Sequence, residues 1–421
     1  MLQTILIKNV LLNRIKPVTS KANGNTTNIL IEGNRFKNLH AAPDTKADIT
    51  IDGSDMAILP PFYNLHTHAA MDILRGYADD MPLFEWLNEH IWPFEAKLKP
   101  DDIYWGTRLA ILEMIKSGTV FFNDMYFEID ETIRAVEEMG VRAAIGVTMM
   151  ENHQLAVREE KFDLLRNWSD NDHRRVMLTT APHAIYTCGE QLLRDCARLA
   201  AETNTHLHIH VSETEQEVTD CLKAHDTTPV RYLDRIGLLG PNVVAAHVVH
   251  VDKEEIQILK RRGVTVVHNP CSNMKLASGI FHFADMMAEG INVAMGTDGS
   301  SSNNNLDMRE EMKMATMLAK VSTGDPTCLS AQTVLDWATV NGARAFGIDA
   351  GVIAEGKLAD ALLVSLNHER MVPCYNLTSN WVYATDSSCI DTVICDGRII
   401  MQHRHVDGEE DIINEIRKRY K

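Results

Sequence analysis

Leu59-Pro60-Pro61-Phe62-Tyr63-Asn64-Leu65-His66-Thr67-His68 decides how the chain is read. The apolar run Met56–Leu59 closes on two prolines, and two histidines separated by one residue follow. On a strand, residues i and i+2 share a side, so both imidazoles would face one point in space. Two neutral imidazoles converging in this way are two legs of a metal site, whereas a lone His-x-His is as easily a solvated polar turn. What separates the two readings is the supply of further ligands downstream, each at the end of its own apolar run.

From residue 56 onward, short apolar runs alternate with longer segments of helical period. The runs 56–59, 119–123, 141–148, 176–182, 206–211, 243–247, 264–268 and 291–296 read as eight strands. Helices fall between them, among them 83–90, 101–117, 130–139, 190–202, 253–262 and 281–289. Asp101 or Asp102 can cap the second of these, and Gly118 can end it. Eight such units are the pattern of a parallel (β/α)8, TIM-like barrel, which takes about 250 residues. Helical segments 306–321 and 330–346 follow.

The two ends share a texture that the middle lacks. Residues 1–56 carry β-branched runs (4–12, 28–31 and 48–51) parted by Gly24-Asn25 and Gly33-Asn34. Beyond Gly347, strand-like runs return at 361–365, 381–384 and 392–401, the last interrupted by the turn Asp396-Gly397. The expectation is an α/β chain in which a barrel over 57–347 is flanked by a small β-sandwich domain formed by both termini, 1–56 and 348–421.

Composition narrows the function. The chain has 421 residues and a formal net charge of -17, which argues against nucleic acid or an anionic membrane as its main partner. Eight cysteines without a Cys-x-x-Cys pair favour reduced thiols in a cytoplasmic enzyme over a disulfide framework. The N-terminus lacks the basic and apolar pattern of an export signal, and no apolar run is long enough to span a bilayer. The reading is a soluble protein with a small-molecule substrate, and a homo-oligomer stays open.

In such barrels the chemistry sits at the carboxyl ends of the strands. His66 and His68 follow the first strand, His183 the fourth, His210 the fifth, His247 the sixth, His268 the seventh and Asp298 the eighth. His206, His208 and His210 alternate onto one face; His210 is nearest the carboxyl end and is the ligand candidate, which leaves the other two to the barrel interior. Glu213 is either a helix-start carboxylate favoured by the dipole or a proton shuttle beside a metal-held water. Asp298, in Gly296-Thr297-Asp298-Gly299, is an ordinary turn residue by itself. With three histidines it completes a donor set typical of a catalytic zinc or ferrous iron site.

One divalent ion, zinc first and iron second, would lower the pKa of its water from about 15.7 to roughly 7. Asp298 can take the water proton and Glu213 can hand a proton to a ring nitrogen of an aromatic substrate as the oxygen adds to the neighbouring carbon. A donor to the growing negative oxygen, assigned to His247, is worth about 3–4 kcal/mol. Ammonia then leaves. His250 competes with His247 for this role.

Asn64-Leu65-His66-Thr67-His68-Ala69-Ala70-Met71, Leu74-Arg75-Gly76-Tyr77-Ala78-Asp79-Asp80, His210-Val211-Ser212-Glu213-Thr214-Glu215, His268-Asn269-Pro270 with Ser272-Asn273-Met274-Lys275-Leu276, and Gly296-Thr297-Asp298-Gly299 resemble motifs of the amidohydrolase superfamily. Nearly the whole chain is similar to its methylthioadenosine/S-adenosylhomocysteine deaminase and chlorohydrolase-like branch. The resemblance implies one metal held by His66, His68, His210 and Asp298, with Glu213, His247 and Asp298 in catalysis. It also implies that Trp86 covers the base, Glu95 holds the ribose hydroxyls, and His183 lies near the ribose. The lysine that bridges two ions in other members is missing between 167 and 188, which favours one ion.

A departure bears on substrate. Where homocysteine-binding members carry an arginine soon after the third strand begins, this chain reads Arg142-Ala143-Ala144-Ile145-Gly146-Val147-Thr148-Met149-Met150, and Arg158 is the next cation to hand. The leading expectation is a hydrolytic deaminase of an adenosine-like nucleoside such as 5'-methylthioadenosine or S-adenosylhomocysteine, acting by attack of metal-bound hydroxide. The alternatives are a deaminase or chlorohydrolase of another amino-heterocycle (guanine, pterin or triazine) and a non-catalytic metal-binding scaffold.

Overall fold

Phe62–Thr67, buried along its whole length, is the strand that opens the barrel. Met56–Leu59, read above as that first strand, belongs to a different sheet, where it pairs antiparallel with Ala361–Ser365 and in parallel with Thr4–Leu12. The physical reason lies in Pro60-Pro61: two residues without an N–H cannot continue a ladder, so the chain leaves one sheet there and enters the other. Phe62 resumes pairing by donating its N–H to the Gly118 carbonyl at 2.9 Å. The computed structural model describes residues 2–12, 26–152, 155–168 and 175–420; the turn expected at Gly24-Asn25 lies outside them.

The seven further barrel strands are Thr119–Tyr126, Arg142–Met149, Val176–Pro182, Leu207–Val211, Val243–His247, Thr265–His268 and Asn292–Met295. They pair in parallel in sequence order. Every residue of the second and third is buried, as expected of strands covered on both sides. The barrel is nearly closed: Asp298, just past the eighth strand, donates its N–H to the His66 carbonyl at 2.9 Å. The helix Pro100–Ser117 starts with proline at its first position and takes its cap from Asp102, which accepts from the Lys99 N–H at 3.0 Å. Gly118 ends it at φ 92°.

A second sheet runs Arg398–Met401, Ile390–Cys395, Ala361–Ser365, Met56–Leu59, Thr4–Leu12, Thr26–Glu32, Arg35–Asn38, with Ile49–Asp52 also on Thr4–Leu12. Both termini therefore build it, around a separate core that includes Ile5, Ile31, Phe36, Ile58 and Leu363. The expected turn Asp396-Gly397 closes a hairpin with both residues at positive φ (54° and 71°). Two local expectations fail. Residues 380–384 form a helical turn instead of a strand, because Trp381 is fully buried and stacks on Phe62 at 5.9 Å, a packing demand that alternation does not encode. The segment 330–346 breaks into Ala331–Ala338 and Val340–Ala345, with Thr339 out of the helical region between them. At the C-terminal end, Glu409–Arg419 packs on Pro100–Ser117, Arg419 pairing with Asp102 at 2.9 Å and with Asp101. Among the described residues no helix is long and apolar enough to cross a membrane.

Candidate active site

The eighth strand is clamped to the first at its carboxyl end. Asn64 accepts from the Thr297 N–H at 3.0 Å and donates to Thr297 Oγ1 at 2.7 Å. A Cβ on Gly296 would lie 2.5 Å from Asn269 Oδ1 and 2.8 Å from the His66 carbonyl oxygen, so only glycine allows this approach. Asp298 follows in the left-handed region, φ 61°, a strained conformation held by its surroundings. Its Oδ2 accepts from Ser272 Oγ (2.6 Å) and Ser302 Oγ (3.0 Å), and its Oδ1 from the Gly299 N–H (2.9 Å). The same Oδ1 lies 3.3 Å from His66 Nε2 and 3.2 Å from His68 Nε2.

Each imidazole is oriented through its other nitrogen. His68 Nδ1 donates to the Met125 carbonyl at 2.7 Å, His210 Nδ1 to the His183 carbonyl at 2.8 Å, and His247 Nδ1 to Asn273 Oδ1 at 2.8 Å. His66 Nδ1 shares a hydrogen bond with His208 Nε2 at 2.9 Å. The Nε2 atoms are thereby left facing one another, the outer-partner arrangement that fixes imidazole ligands. Donor atoms within 4.8 Å of one another form two sets, His66, His68, Asp298 and His66, His210, His247. His247, expected only as a hydrogen-bond donor, thus stands among the converging imidazoles. The buried Nε2 atoms of His66 and His247 have no hydrogen-bond partner among the described residues.

Electrostatics agree with a cation in this space. Burial pushes His66 down to about 4 and His183 to about 3, and holds His210 well below the usual range, so burial favours the neutral form of each ring. Burial opposes charge on His68 too, but its hydrogen bond and attraction to Asp298 carry it up to about 9. A proton there stands where a cation would, between Nε2 and the carboxylate. Burial alone would raise Asp298; its contacts with His66 and His68, at 3.3 and 3.2 Å, outweigh it and keep the carboxyl well below its usual range. The donor set, its orientation and its orphaned nitrogens fit a divalent metal.

Glu213 lies beyond the fifth strand with its carboxyl buried and Oε2 3.8 Å from His247 Nε2. Burial raises it, and the charge of His247 opposes that. Its backbone is fixed by Glu217, whose carboxylate accepts from the N–H groups of Ser212 (3.0 Å) and Glu213 (2.8 Å). Above the cluster the chain crosses the mouth as Leu83–Glu85, a π-helical turn Trp86–Ile91, and Trp92–Glu95. Such π turns recur at functional sites. Trp86 donates its ring N–H to the Ala78 carbonyl at 3.0 Å, and Tyr126 Oη donates to Glu95 at 2.7 Å. Burial pushes Glu95 up to about 7 against that hydrogen bond.

Trp86, Glu95 and His183 line one cavity of about 60 Å³ together with His68, His210, Glu213, His247 and Asp298. An outer cleft of about 510 Å³ adjoins it, with Trp92, Glu95, Phe127, Met150 and Tyr186 common to both. The other candidates fall elsewhere. His268 stacks on Phe281 at 4.4 Å, His206 bonds the Ala345 carbonyl at 2.8 Å, and His250 meets the Ser278 carbonyl. Arg142 lies at the opposite end of its strand on Asp360, and Arg158 donates to Glu151 at 2.8 Å. Sequence reasoning missed Tyr126, Asn273, Ser272, Ser302 and Glu217. Ser272 and Asn273 stood in a quoted motif without a role, and the contacts of all five depend on distances that no spacing reveals.

A (β/α)8 barrel whose mouth gathers buried imidazoles and a carboxylate defines a class: TIM-type barrels built to hold a divalent metal. Within it, residues 57–400 match the amidohydrolase family, and the chain belongs to that family. It is 46% identical over 392 residues to a 5'-deoxyadenosine deaminase of Methanothermobacter thermautotrophicus, covering 92% of this chain and 91% of that one. It is 46% identical over 401 residues to a 5-methylthioadenosine/S-adenosylhomocysteine deaminase of Syntrophomonas wolfei, covering 93% of each. Among solved structures, a zinc-bound adenosine deaminase from Xanthomonas campestris superposes with a TM-score of 0.90 at 32% identity, covering 98% of this chain and 97% of that one.

Proposed function

We propose that the chain is a metal-dependent aminohydrolase that deaminates an adenosine-type nucleoside, 5'-deoxyadenosine, 5'-methylthioadenosine or S-adenosylhomocysteine being the substrate class. The observation that carries this reading is the sharing of one cavity by Trp86, Glu95 and His183 with the converging histidines, Glu213 and Asp298. His66, His68, His210 and Asp298 would hold one divalent ion, zinc first and iron second. When bound, that ion supplies Lewis acidity, which brings a water's pKa from about 15.7 to roughly 7.

The residues divide the remaining work. Asp298 accepts the proton of the attacking water and passes it to the amino group, which leaves as ammonia as the carbon–nitrogen bond breaks, while Ser272 and Ser302 keep its Oδ2 in place. Glu213, whose carboxyl burial pushes above its ordinary range, donates to the purine ring nitrogen beside the carbon under attack. His247, oriented by Asn273, donates toward the developing oxyanion. Trp86 covers the base, Glu95 takes the ribose hydroxyls, and His183 borders the ribose. Eight free cysteines suit a reducing compartment, the cytoplasm. Ammonia release should be measured with zinc-loaded and iron-loaded protein on the three nucleosides above, guanine and a pterin. Turnover of the nucleosides is expected; activity on guanine or the pterin alone would overturn the substrate assignment, and none on any would overturn the reaction.

A further inference from the structure

Two motifs of the sequence have no part in the chemistry above: Ala78-Asp79-Asp80 after the first strand and Met274-Lys275-Leu276 after the seventh. The fold brings them together. Lys275 Nζ donates to Asp79 Oδ1 at 2.5 Å and also to Asn304 Oδ1, so one ammonium joins the loops that follow strands one, seven and eight. The side chains of Lys275 and Asp79 are 25% and 34% exposed, sheltered enough for the pair to count. Leu276, the next residue, lines the inner cavity.

Asp79 begins the segment that covers the mouth. Leu83, Trp86, Leu87, Ile91 and Glu95 of that segment all face the inner cavity. Its volume of about 60 Å³ is well below the roughly 300–1,000 Å³ of pockets that enclose small ligands. The inner cavity taken alone is thus smaller than a nucleoside, and outward movement of residues 76–98, which wall it on one side, would enlarge it toward the adjoining outer cleft. Among the described residues, two side-chain hydrogen bonds join this segment to the rest of the mouth: Glu95 to Tyr126 on the second strand, and Asp79 to Lys275. The first sits inside the cavity and would be rearranged by substrate; the second sits at the segment's other end, outside it.

We propose that Lys275 is a positioning residue: held by Asn304, it latches Asp79 and so keeps the segment carrying Trp86 and Glu95 closed over bound substrate. The kinetic part of this proposal rests on the deaminase reading. A latch biases a closed, binding-competent state, so its loss lowers the fraction of protein able to hold substrate and raises KM more than it lowers kcat.

The test compares metal-loaded wild type with Lys275→Met, Asp79→Asn, the double variant and Lys275→Arg, metal content being measured in each. KM for the best nucleoside is expected to rise about tenfold in either single variant, and no further in the double, with kcat within about threefold. Lys275→Arg should recover most of the loss. Amide hydrogen exchange in 76–98, read without substrate, should quicken about tenfold in the single variants and stay unchanged in the second sheet. Asp79→Asn is nearly isosteric, so it keeps the test open should Lys275→Met fold poorly. KM and exchange both within twofold of wild type in Asp79→Asn would overturn the latch, as would additive effects in the double variant. Should wild type deaminate no nucleoside, the deaminase reading alone falls, and the exchange comparison still decides the latch.

Discussion

Glu213 has its carboxyl buried and its backbone N–H pinned by Glu217, so the carboxyl is held in place and sheltered from water. Glu213→Gln keeps the shape and removes the acid. The expected result is a fall in kcat/KM of about 10²–10⁴ on the nucleoside substrate with metal content unchanged, measured by steady-state kinetics and metal analysis. At Gly296 the limit is steric: a Cβ would meet Asn269 Oδ1 at 2.5 Å and the His66 backbone at 2.8 Å. Gly296→Ala is therefore expected to displace His66 and lose bound metal together with activity, which metal stoichiometry would register. Histidine and aspartate at strand ends were legible because their types and spacing are one-dimensional facts. Tyr126 on Glu95 and Asn273 on His247 were not, because a hydrogen bond across 31 or 26 residues depends on how strands are laid side by side.

The helix Met308–Thr323 carries a buried carboxyl, Glu311, that accepts from the Cys271 N–H (3.0 Å) and Asn303 Nδ2 (2.6 Å), tying the helix to the loops after the seventh and eighth strands. Burial pushes Glu311 up to about 8 from an ordinary 4.5. Its folded pKa is raised, so the stability it contributes is full below pH about 4.5 and is lost as pH rises through about 8. Melting temperature should fall between pH 6 and pH 9, and Glu311→Gln should shrink that fall; an unchanged pH dependence would contradict the assignment. The element that misled the sequence reading, residues 380–384, shows the limit at this scale. Four apolar or aromatic residues suit a strand or a helical turn equally, and burial of Trp381 against Phe62 chooses the turn.

Across the whole molecule, the second sheet and the barrel are joined at the face opposite the site. Asp360 accepts from Tyr63 Oη at 2.6 Å and from Arg142, while Asp396 lies 3.6 Å from Arg142 and from Arg175. Arg142 and Asp360 are almost fully buried, and removing Asp360 leaves Arg142 only the more distant Asp396. Asp360→Ala is expected to cost about 3–5 kcal/mol in denaturant unfolding, a loss of the kind seen when a buried pair is broken. Metal removal acts at the other end of the barrel. Chelation should lower the melting temperature and zinc should restore it, because an ion bound only by the folded state at 1,000 times its Kd adds about 4 kcal/mol.

The sequence by itself determined the barrel pattern with seven of its eight strands, the second sheet drawn from both termini, and the identities of the histidines and carboxylates at the strand ends. Periodicity and residue type are local properties, and the chain carries them openly. Tertiary structure alone decided that the barrel starts after the two prolines, that His247 joins the converging imidazoles, and that Lys275 reaches Asp79 across 196 residues. Those facts follow from the closing of a sheet into a ring, which sets distant strand ends side by side and has no counterpart in the order of residues.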